Sequence, residues 1–108
     1  MSAPEISVDE LAAARAGGDA RVVDVRQPEE YEAGHVPGAK LIPMADVVAR
    51  IGEFPVDGPV YVICQTGGRS QRAADYLRNV GVEAYTVAGG TKAWVEAGHD
   101  TAHGSFPG

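Results

Sequence analysis

The single cysteine of the chain, Cys64, stands in a short polar segment whose residue types could activate a thiol. This segment, called the Cys64 loop (residues 64–70), reads Cys64-Gln65-Thr66-Gly67-Gly68-Arg69-Ser70 and follows an apolar run. Two adjacent glycines allow successive backbone N–H groups to turn toward one atom. A helix that begins near Ser70 would add the positive end of its dipole, and Arg69 and Arg72 add formal charge. These features favour the thiolate, which is the nucleophilic form of cysteine.

Short apolar strands alternate with helical patterns, and their order decides where the Cys64 loop must lie. The predicted strands are 21–25, 40–42, 60–63 and 84–87, and the predicted helices are one after the capping box Ser7/Glu10, then 29–33, 44–51, 70–80 and 91–97. This alternation is typical of an α/β fold with a mainly parallel sheet and helices on both faces. Ligands bind such sheets beyond the carboxyl ends of the strands, which is where Cys64 falls.

Charge and composition exclude several classes of function. The formal net charge of −6 disfavours binding to phosphate backbones, so no nucleic-acid partner is expected. No apolar run approaches the roughly 20 residues of a membrane span, and residues 1–18 lack the pattern of a secretory signal. We therefore expect no membrane association and a cytoplasmic location. The three histidines and one cysteine show no metal-ligand spacing, and no cofactor is expected.

Three segments resemble the signatures of the rhodanese-like family. The Cys64 loop resembles the family's active-site pattern, Cys-x-x-Gly-x-Arg followed by Ser or Thr. The segment from Asp24 to Ala39 resembles the first family signature, and the segment from Gly89 to Trp94 the second. The resemblance implies a mainly parallel five-stranded sheet with helices on both faces. We place the domain at residues 1–100 and expect residues 101–108 to form a flexible C-terminal tail.

The resemblance also implies an activity. Cys64 would take sulfane sulfur from a small anionic donor such as thiosulfate and hold it as a persulfide. It would then pass the sulfur to cyanide, a thiol or a protein acceptor, in two half-reactions with a covalent intermediate. The residues that would surround the substrate are the remainder of the loop: Gln65, Thr66, Gly67, Gly68, Arg69 and Ser70. Arg69 would either orient the donor or brace the loop by binding carbonyl groups.

Several charged or polar residues outside the Cys64 loop are expected to have structural roles. Asp24 and Arg26 follow a predicted strand and could form a second layer around the site, although an ion pair with Glu30 that fixes the next turn is the simpler expectation. Glu30 itself belongs to an acidic helix start that should be solvated. His35 is expected to be a hydrogen-bonded structural histidine.

Two alternative functions use the same features. A cysteine-dependent phosphatase or arsenate reductase would also attack an anion with a thiolate in a nest of N–H groups. Phosphatases of this kind have five residues between cysteine and arginine, whereas this chain has four, from Gln65 to Gly68. A rhodanese-like binding module without catalysis is the other alternative, although such modules lack the cysteine.

Overall fold

The computed structural model of the protein describes residues 2–18 and 20–108, and within them five strands alternate with four α-helices. In chain order the elements are β1 (Glu5–Ile6), α1 (Val8–Ala16), β2 (Val22–Asp24), α2 (Pro28–Ala33), β3 (Lys40–Leu41), the 3₁₀ turns Met44–Asp46 and Ile51–Glu53, β4 (Val60–Ile63), α3 (Gly68–Asn79), β5 (Ala84–Val87) and α4 (Gly90–Glu96). Strands β4 and β5 have their predicted bounds, whereas the two-residue β1 was not predicted. Among the described residues no helix is long and apolar enough to cross a membrane.

The strands form one sheet in the order β1-β5-β4-β2-β3, and every neighbouring pair is parallel. The predicted parallel sheet is therefore confirmed. Strand β4 occupies the centre, and its last residue, Ile63, is in register with Asp24 at the end of β2. The chain segments that follow β2 and β4 consequently emerge side by side at the carboxyl edge of the sheet.

Helices cover both faces of the sheet, as the sequence predicts. On one face Ala74 and Leu77 of α3 are fully buried against the strands, and Val47 and Phe54, which follow the two 3₁₀ turns, are buried beside them. On the other face the buried side chains are Leu11 of α1, Tyr31 of α2 and Trp94 of α4. Each fully buried large apolar side chain stabilises this packing by about 2 kcal/mol. The carboxyl edge of the sheet, where the Cys64 loop lies, is thus supported by a buried apolar cluster on each face.

The segment from Met44 to Ile51, for which an amphipathic α-helix was predicted, instead forms 3₁₀ turns. The hydrogen bonds from Val47 N–H to Met44 O and from Phe54 N–H to Ile51 O join residues three apart. That spacing places both members of each pair on one side of a 3₁₀ turn. Val47 and Phe54 are buried as a result, whereas Val48 is 63% exposed. The prediction was therefore wrong in the type of helix and in the burial of Val48, whereas Val47 is buried and Met44 and Ile51 pack against the core as predicted.

The C-terminal segment (residues 101–108), expected to be a flexible tail, is hydrogen-bonded to the domain. His35 and Ala102 exchange two backbone hydrogen bonds of 2.9 Å in an antiparallel bridge. The His35 ring is fully buried, and its Nε2 lies 3.0 Å from the carbonyl oxygen of Phe106. A buried ring and its backbone need hydrogen-bond partners, and this segment supplies them. His35 is thus the structural histidine that the sequence predicts.

Candidate active site

Cys64 is the first residue after β4, at the carboxyl end of the central strand. Its side chain is buried, with 1% of its surface exposed. The chain turns at Gly67, and α3 begins at Gly68. The order of strand, cysteine, loop and helix is the one that the sequence predicts.

The Cys64 loop curls back over its own sulfur atom because Gly67 adopts a backbone conformation that favours glycine. Its φ angle is 119°, in the left-handed region where a side chain would be strained. With this turn the Gly67 N–H donates to Cys64 Sγ over 3.1 Å. Helix α3 starts at the next residue, so the positive end of its dipole adds to the potential at the sulfur.

The surroundings of the sulfur favour the thiolate. Burial raises the pKa of the Cys64 thiol, because the charged form loses its hydration. Hydrogen bonds from the Ser70 hydroxyl and the Ser70 N–H lower that pKa, and the N–H groups of Gly67 and Thr66 lower it further. Together the hydrogen bonds outweigh burial, so the pKa of Cys64 lies below its ordinary value. This direction agrees with an activated nucleophile rather than an inert packing residue.

Arg69 forms an ion pair that the sequence analysis did not predict. Its two terminal nitrogens donate to the two carboxylate oxygens of Glu30 on α2, each over 2.8 Å. The hydrogen bond with Arg69 lowers the pKa of Glu30 to about 2, and the same bond raises the pKa of Arg69. The expected ion pair between Arg26 and Glu30 is therefore wrong, because Glu30 binds Arg69 of α3 instead, and its carboxylate is only partly exposed to solvent.

Asp24 and Arg26 pair with each other at the end of β2. The guanidinium of Arg26 is 2% exposed and binds the Asp24 carboxylate through Nε and Nη2. The same guanidinium donates from Nη2 to Gly34 O over 2.8 Å and from Nη1 to Gln65 Oε1 over 3.0 Å. A buried charge needs such a complete set of partners. The pair thus contacts the Cys64 loop through Gln65 and does not reach the sulfur.

The start of α4 holds the loop from the opposite side, which sequence reasoning missed. Thr91 donates to the carbonyl oxygen of Cys64 through its N–H over 2.8 Å and through its hydroxyl over 3.0 Å. The N–H of Lys92 donates to Gln65 O over 3.0 Å. A Cβ at Gly90 would lie 2.5 Å from Cys64 O, so the close approach requires glycine there. In the sequence, the adjacent glycines Gly89 and Gly90 indicate a close backbone approach at the start of α4. The sequence does not show that the Cys64 loop is the segment approached.

A cleft of about 720 Å³ lies beside the loop and not over the sulfur. Gln65 is the one residue of the Cys64 loop that lines it, within the described part of the chain, and α2, α4 and the C-terminal segment form its walls. Thr66 and Gly68 are exposed on the outer side of the loop. The structure therefore brings Cys64, Gly67 and Ser70 together, while the side chain of Gln65 points toward the cleft.

Several known proteins are similar to this chain in sequence. The model of the family described as the rhodanese-like domain matches residues 7–97. Over 76 residues, 69% of this chain and 60% of its relative, the sequence is 46% identical to the uncharacterized protein YqhL of Bacillus subtilis. Over 80 residues, 73% of this chain and 76% of its relative, it is 38% identical to the thiosulfate sulfurtransferase GlpE of Pseudoalteromonas translucida.

Solved structures show the same fold. A rhodanese-related protein from Thermoplasma volcanium superposes with a TM-score of 0.86 at 27% identity, over 92% of this chain and 97% of that one. A rhodanese-like domain protein from Staphylococcus aureus superposes with a TM-score of 0.85 at 34% identity, over 94% and 99%. Because the family model covers residues 7–97 and a relative is 46% identical over 69% of this chain, the chain belongs to the rhodanese-like domain family.

Proposed function

We propose that the protein is a sulfurtransferase that carries sulfane sulfur on Cys64 as a persulfide. The observation that carries this proposal is the environment of the Cys64 sulfur. The sulfur is buried beneath a loop whose Gly67 N–H donates to it over 3.1 Å. Membership of the rhodanese-like family and 38% identity to a relative named as a thiosulfate sulfurtransferase support it.

The first half-reaction loads the cysteine. The Cys64 thiolate attacks the outer sulfur of a small anionic donor such as thiosulfate, and a new S–S bond forms. The S–S bond of the donor breaks, and sulfite leaves with the electron pair. No external oxidant is needed, because the donor already supplies sulfane sulfur. Negative charge then rests on the outer sulfur, where the N–H groups of the loop can stabilise it.

The second half-reaction unloads the cysteine. A nucleophile such as cyanide, a small thiol or a protein thiol attacks the outer sulfur. The S–S bond of the persulfide breaks, and the Cys64 thiolate leaves with the electrons. Because the chain has one cysteine, an internal disulfide cannot release the sulfur, and the acceptor must be another molecule. This chemistry needs no cofactor.

Arg69 has a supporting role in this proposal. Both of its terminal nitrogens donate to Glu30, so the carboxylate balances the guanidinium charge and the backbone N–H groups of the loop are the donors nearest the sulfur. The ion pair braces the Cys64 loop against α2. Arg26, which follows β2, also braces the loop through its hydrogen bond to Gln65.

The same geometry weighs against phosphatase chemistry. A phosphoryl group brings three charged oxygens that need converging donors in the transition state. Four residues separate Cys64 from Arg69, and the charge of the arginine is balanced by Glu30. A ring of this size suits the single added atom of a persulfide better than a tetrahedral phosphoryl group.

The test measures intact mass before and after the protein is mixed with thiosulfate. We expect a gain of one sulfur atom that is lost on addition of cyanide, with thiocyanate as the product. Cys64→Ser is the control and should show neither the gain nor the product while it keeps its fold. Aryl phosphate is supplied to a parallel sample. Phosphate release that disappears in Cys64→Ser, without any persulfide, would overturn the proposal.

A further inference from the structure

Thr86 is a polar residue inside an otherwise apolar strand. It lies on β5, is 1% exposed, and faces the side of the sheet that α3 covers, as Ala84 does two residues earlier. Its hydroxyl oxygen lies 2.7 Å from the hydroxyl oxygen of Ser70, in the first turn of α3. Ser70 is fully buried and lies between Thr86 and the sulfur. The Ser70 hydroxyl is therefore the single group that links Thr86 to the Cys64 sulfur.

The Ser70 hydroxyl has one proton and three polar neighbours. Its oxygen lies 3.4 Å from Cys64 Sγ, 3.2 Å from Gly67 O and 2.7 Å from Thr86 Oγ1. Thr86 Oγ1 has Ser70 as its one hydrogen-bond partner among the residues that the structure describes. A buried hydroxyl proton without an acceptor is unfavourable. The Thr86 proton therefore goes to Ser70, which leaves the Ser70 proton available to Gly67 O or to the sulfur.

This arrangement has a defined response to ionisation of the thiol. In the neutral state the Cys64 S–H can donate to Ser70, and Ser70 can donate to Gly67 O. In the thiolate state the sulfur becomes the stronger acceptor, because hydrogen bonds to an ionised group are stronger than those to a neutral carbonyl. The Ser70 proton then turns to the sulfur, and the bond from Thr86 holds the Ser70 oxygen in place in both states.

We propose that Thr86 is a positioning residue of the active site: its hydroxyl donates to Ser70 and so directs the Ser70 proton toward the Cys64 sulfur. The inference deepens the proposed function, since it rests on Cys64 as the nucleophile. Its test measures the thiol itself and does not require sulfur transfer. A protein that moved no sulfur could still show an effect of Thr86 on the titration of Cys64. Failure of this inference is therefore distinguishable from failure of the proposed sulfur transfer.

Charged groups around the loop must stay constant for this test. They lie at and just beyond the end of β2, on α2, α3 and α4 and in the C-terminal segment, as the pairs Asp24–Arg26, Glu30–Arg69 and Lys92–Glu96 together with Arg72 and His103. Substitution of Thr86 changes none of these charges. A change in the titration of the sulfur would consequently come from the hydroxyl pair.

The experiment follows alkylation of Cys64 by iodoacetamide against pH. Thr86→Ala and Thr86→Ser both delete the methyl group, but only the alanine deletes the hydroxyl. We expect Thr86→Ala to raise the midpoint by roughly half a pH unit, and Thr86→Ser to stay near the unsubstituted protein. Thr86→Val excludes a replacement water molecule and should resemble Thr86→Ala. Equal midpoints in Thr86→Ala, Thr86→Val and the unsubstituted protein would overturn the proposal.

Two controls show whether the effect passes through Ser70. In a Ser70→Ala background, Thr86→Ala should cause no further shift, because the intermediate hydroxyl is gone. Tyr31→Phe removes another buried hydroxyl, one that binds the Ala39 carbonyl and contacts neither Ser70 nor the Cys64 loop. Its midpoint should not rise. A Thr86→Ala shift that persists without Ser70, or an equal shift in Tyr31→Phe, would refute the proposal.

Discussion

Arg69 and Glu30 form a bidentate salt bridge, with Nη1–Oε1 and Nη2–Oε2 distances of 2.8 Å each. The bridge ties the first turn of α3 to α2, while Thr91 holds the Cys64 carbonyl from α4. The Cys64 loop is thus anchored on both sides of the sulfur. An anchored loop keeps its N–H groups directed at the sulfur before any substrate arrives, which is the preorganisation that electrostatic stabilisation requires.

The first prediction concerns the contribution of this bridge to stability. Glu30→Gln keeps the shape of the side chain and removes the charge, so we expect the free energy of unfolding to fall by about 1 kcal/mol near pH 7, since water screens a pair this exposed. The folded-state pKa of Glu30 is about 2, below its ordinary value of 4.5. The difference between the two proteins should therefore be complete above pH 4.5 and disappear as the pH falls toward 2.

Urea denaturation at several pH values measures that difference. Glu29→Gln on the same helix is the matched control, because Glu29 is exposed and has no ion pair among the described residues. A difference that grows on acidification, or one that is equal in the two variants, would contradict the assignment of the bridge.

The second prediction concerns the titration of Cys64. The hydrogen bonds to its sulfur lower the pKa of the thiol, so alkylation should have a midpoint below the ordinary thiol value of about 8.5. Burial slows alkylation at every pH, and for that reason the midpoint is the quantity to compare rather than the rate. A small free thiol in the same buffer serves as the reference. A midpoint at or above that of the reference would favour a passive packing cysteine.

The third prediction concerns the contact between α4 and the loop. An alanine at position 90 would place its Cβ 2.5 Å from Cys64 O and 2.6 Å from Gln65 O. Gly98 also has a positive φ, but a Cβ there would meet nothing within 4 Å. Both substitutions strain the backbone by about 1 kcal/mol, and Gly90→Ala should lose about 2 kcal/mol more.

Gly90→Ala should also slow sulfur transfer by roughly tenfold or more, because the loop carbonyls must move. Gly98→Ala should retain the rate of the unsubstituted protein. Thermal unfolding and transfer to cyanide measure the two quantities. Equal behaviour of the two variants would show that the close approach of α4 is unimportant.

The fourth prediction concerns the C-terminal segment. Deletion of residues 101–108 removes the backbone partners of His35 and the carbonyl at its Nε2, and should lower the free energy of unfolding by about 3 kcal/mol. Phe106→Ala is the control, because its side chain is 80% exposed and should change stability by less than about 0.5 kcal/mol. A deletion without effect on the urea midpoint would restore the expectation of a flexible tail.

Local signals in the sequence predicted most of the framework. The apolar run of β4 and the strand β5 were bounded correctly, because the strand pattern and the turn residues beside it are neighbours in the chain. The capping box of Ser7 and Glu10 is present for the same reason. The motif around Cys64 could likewise be read from adjacent residues, since a nest and a helix start are local features.

By itself, then, the sequence determined the fold class, the family and the candidate nucleophile of this protein. The tertiary structure decided which distant side chains meet. Glu30 and Arg69 are 39 positions apart, and Ser70 and Thr86 are 16 apart. Their pairing depends on the sheet order, which sets β2 and β5 on either side of β4. The contacts of His35 with residues 102–107 depend on how the chain returns after α4. A local pattern records whether a residue is buried, but a hydrogen bond between remote residues exists only once the strands and helices have packed.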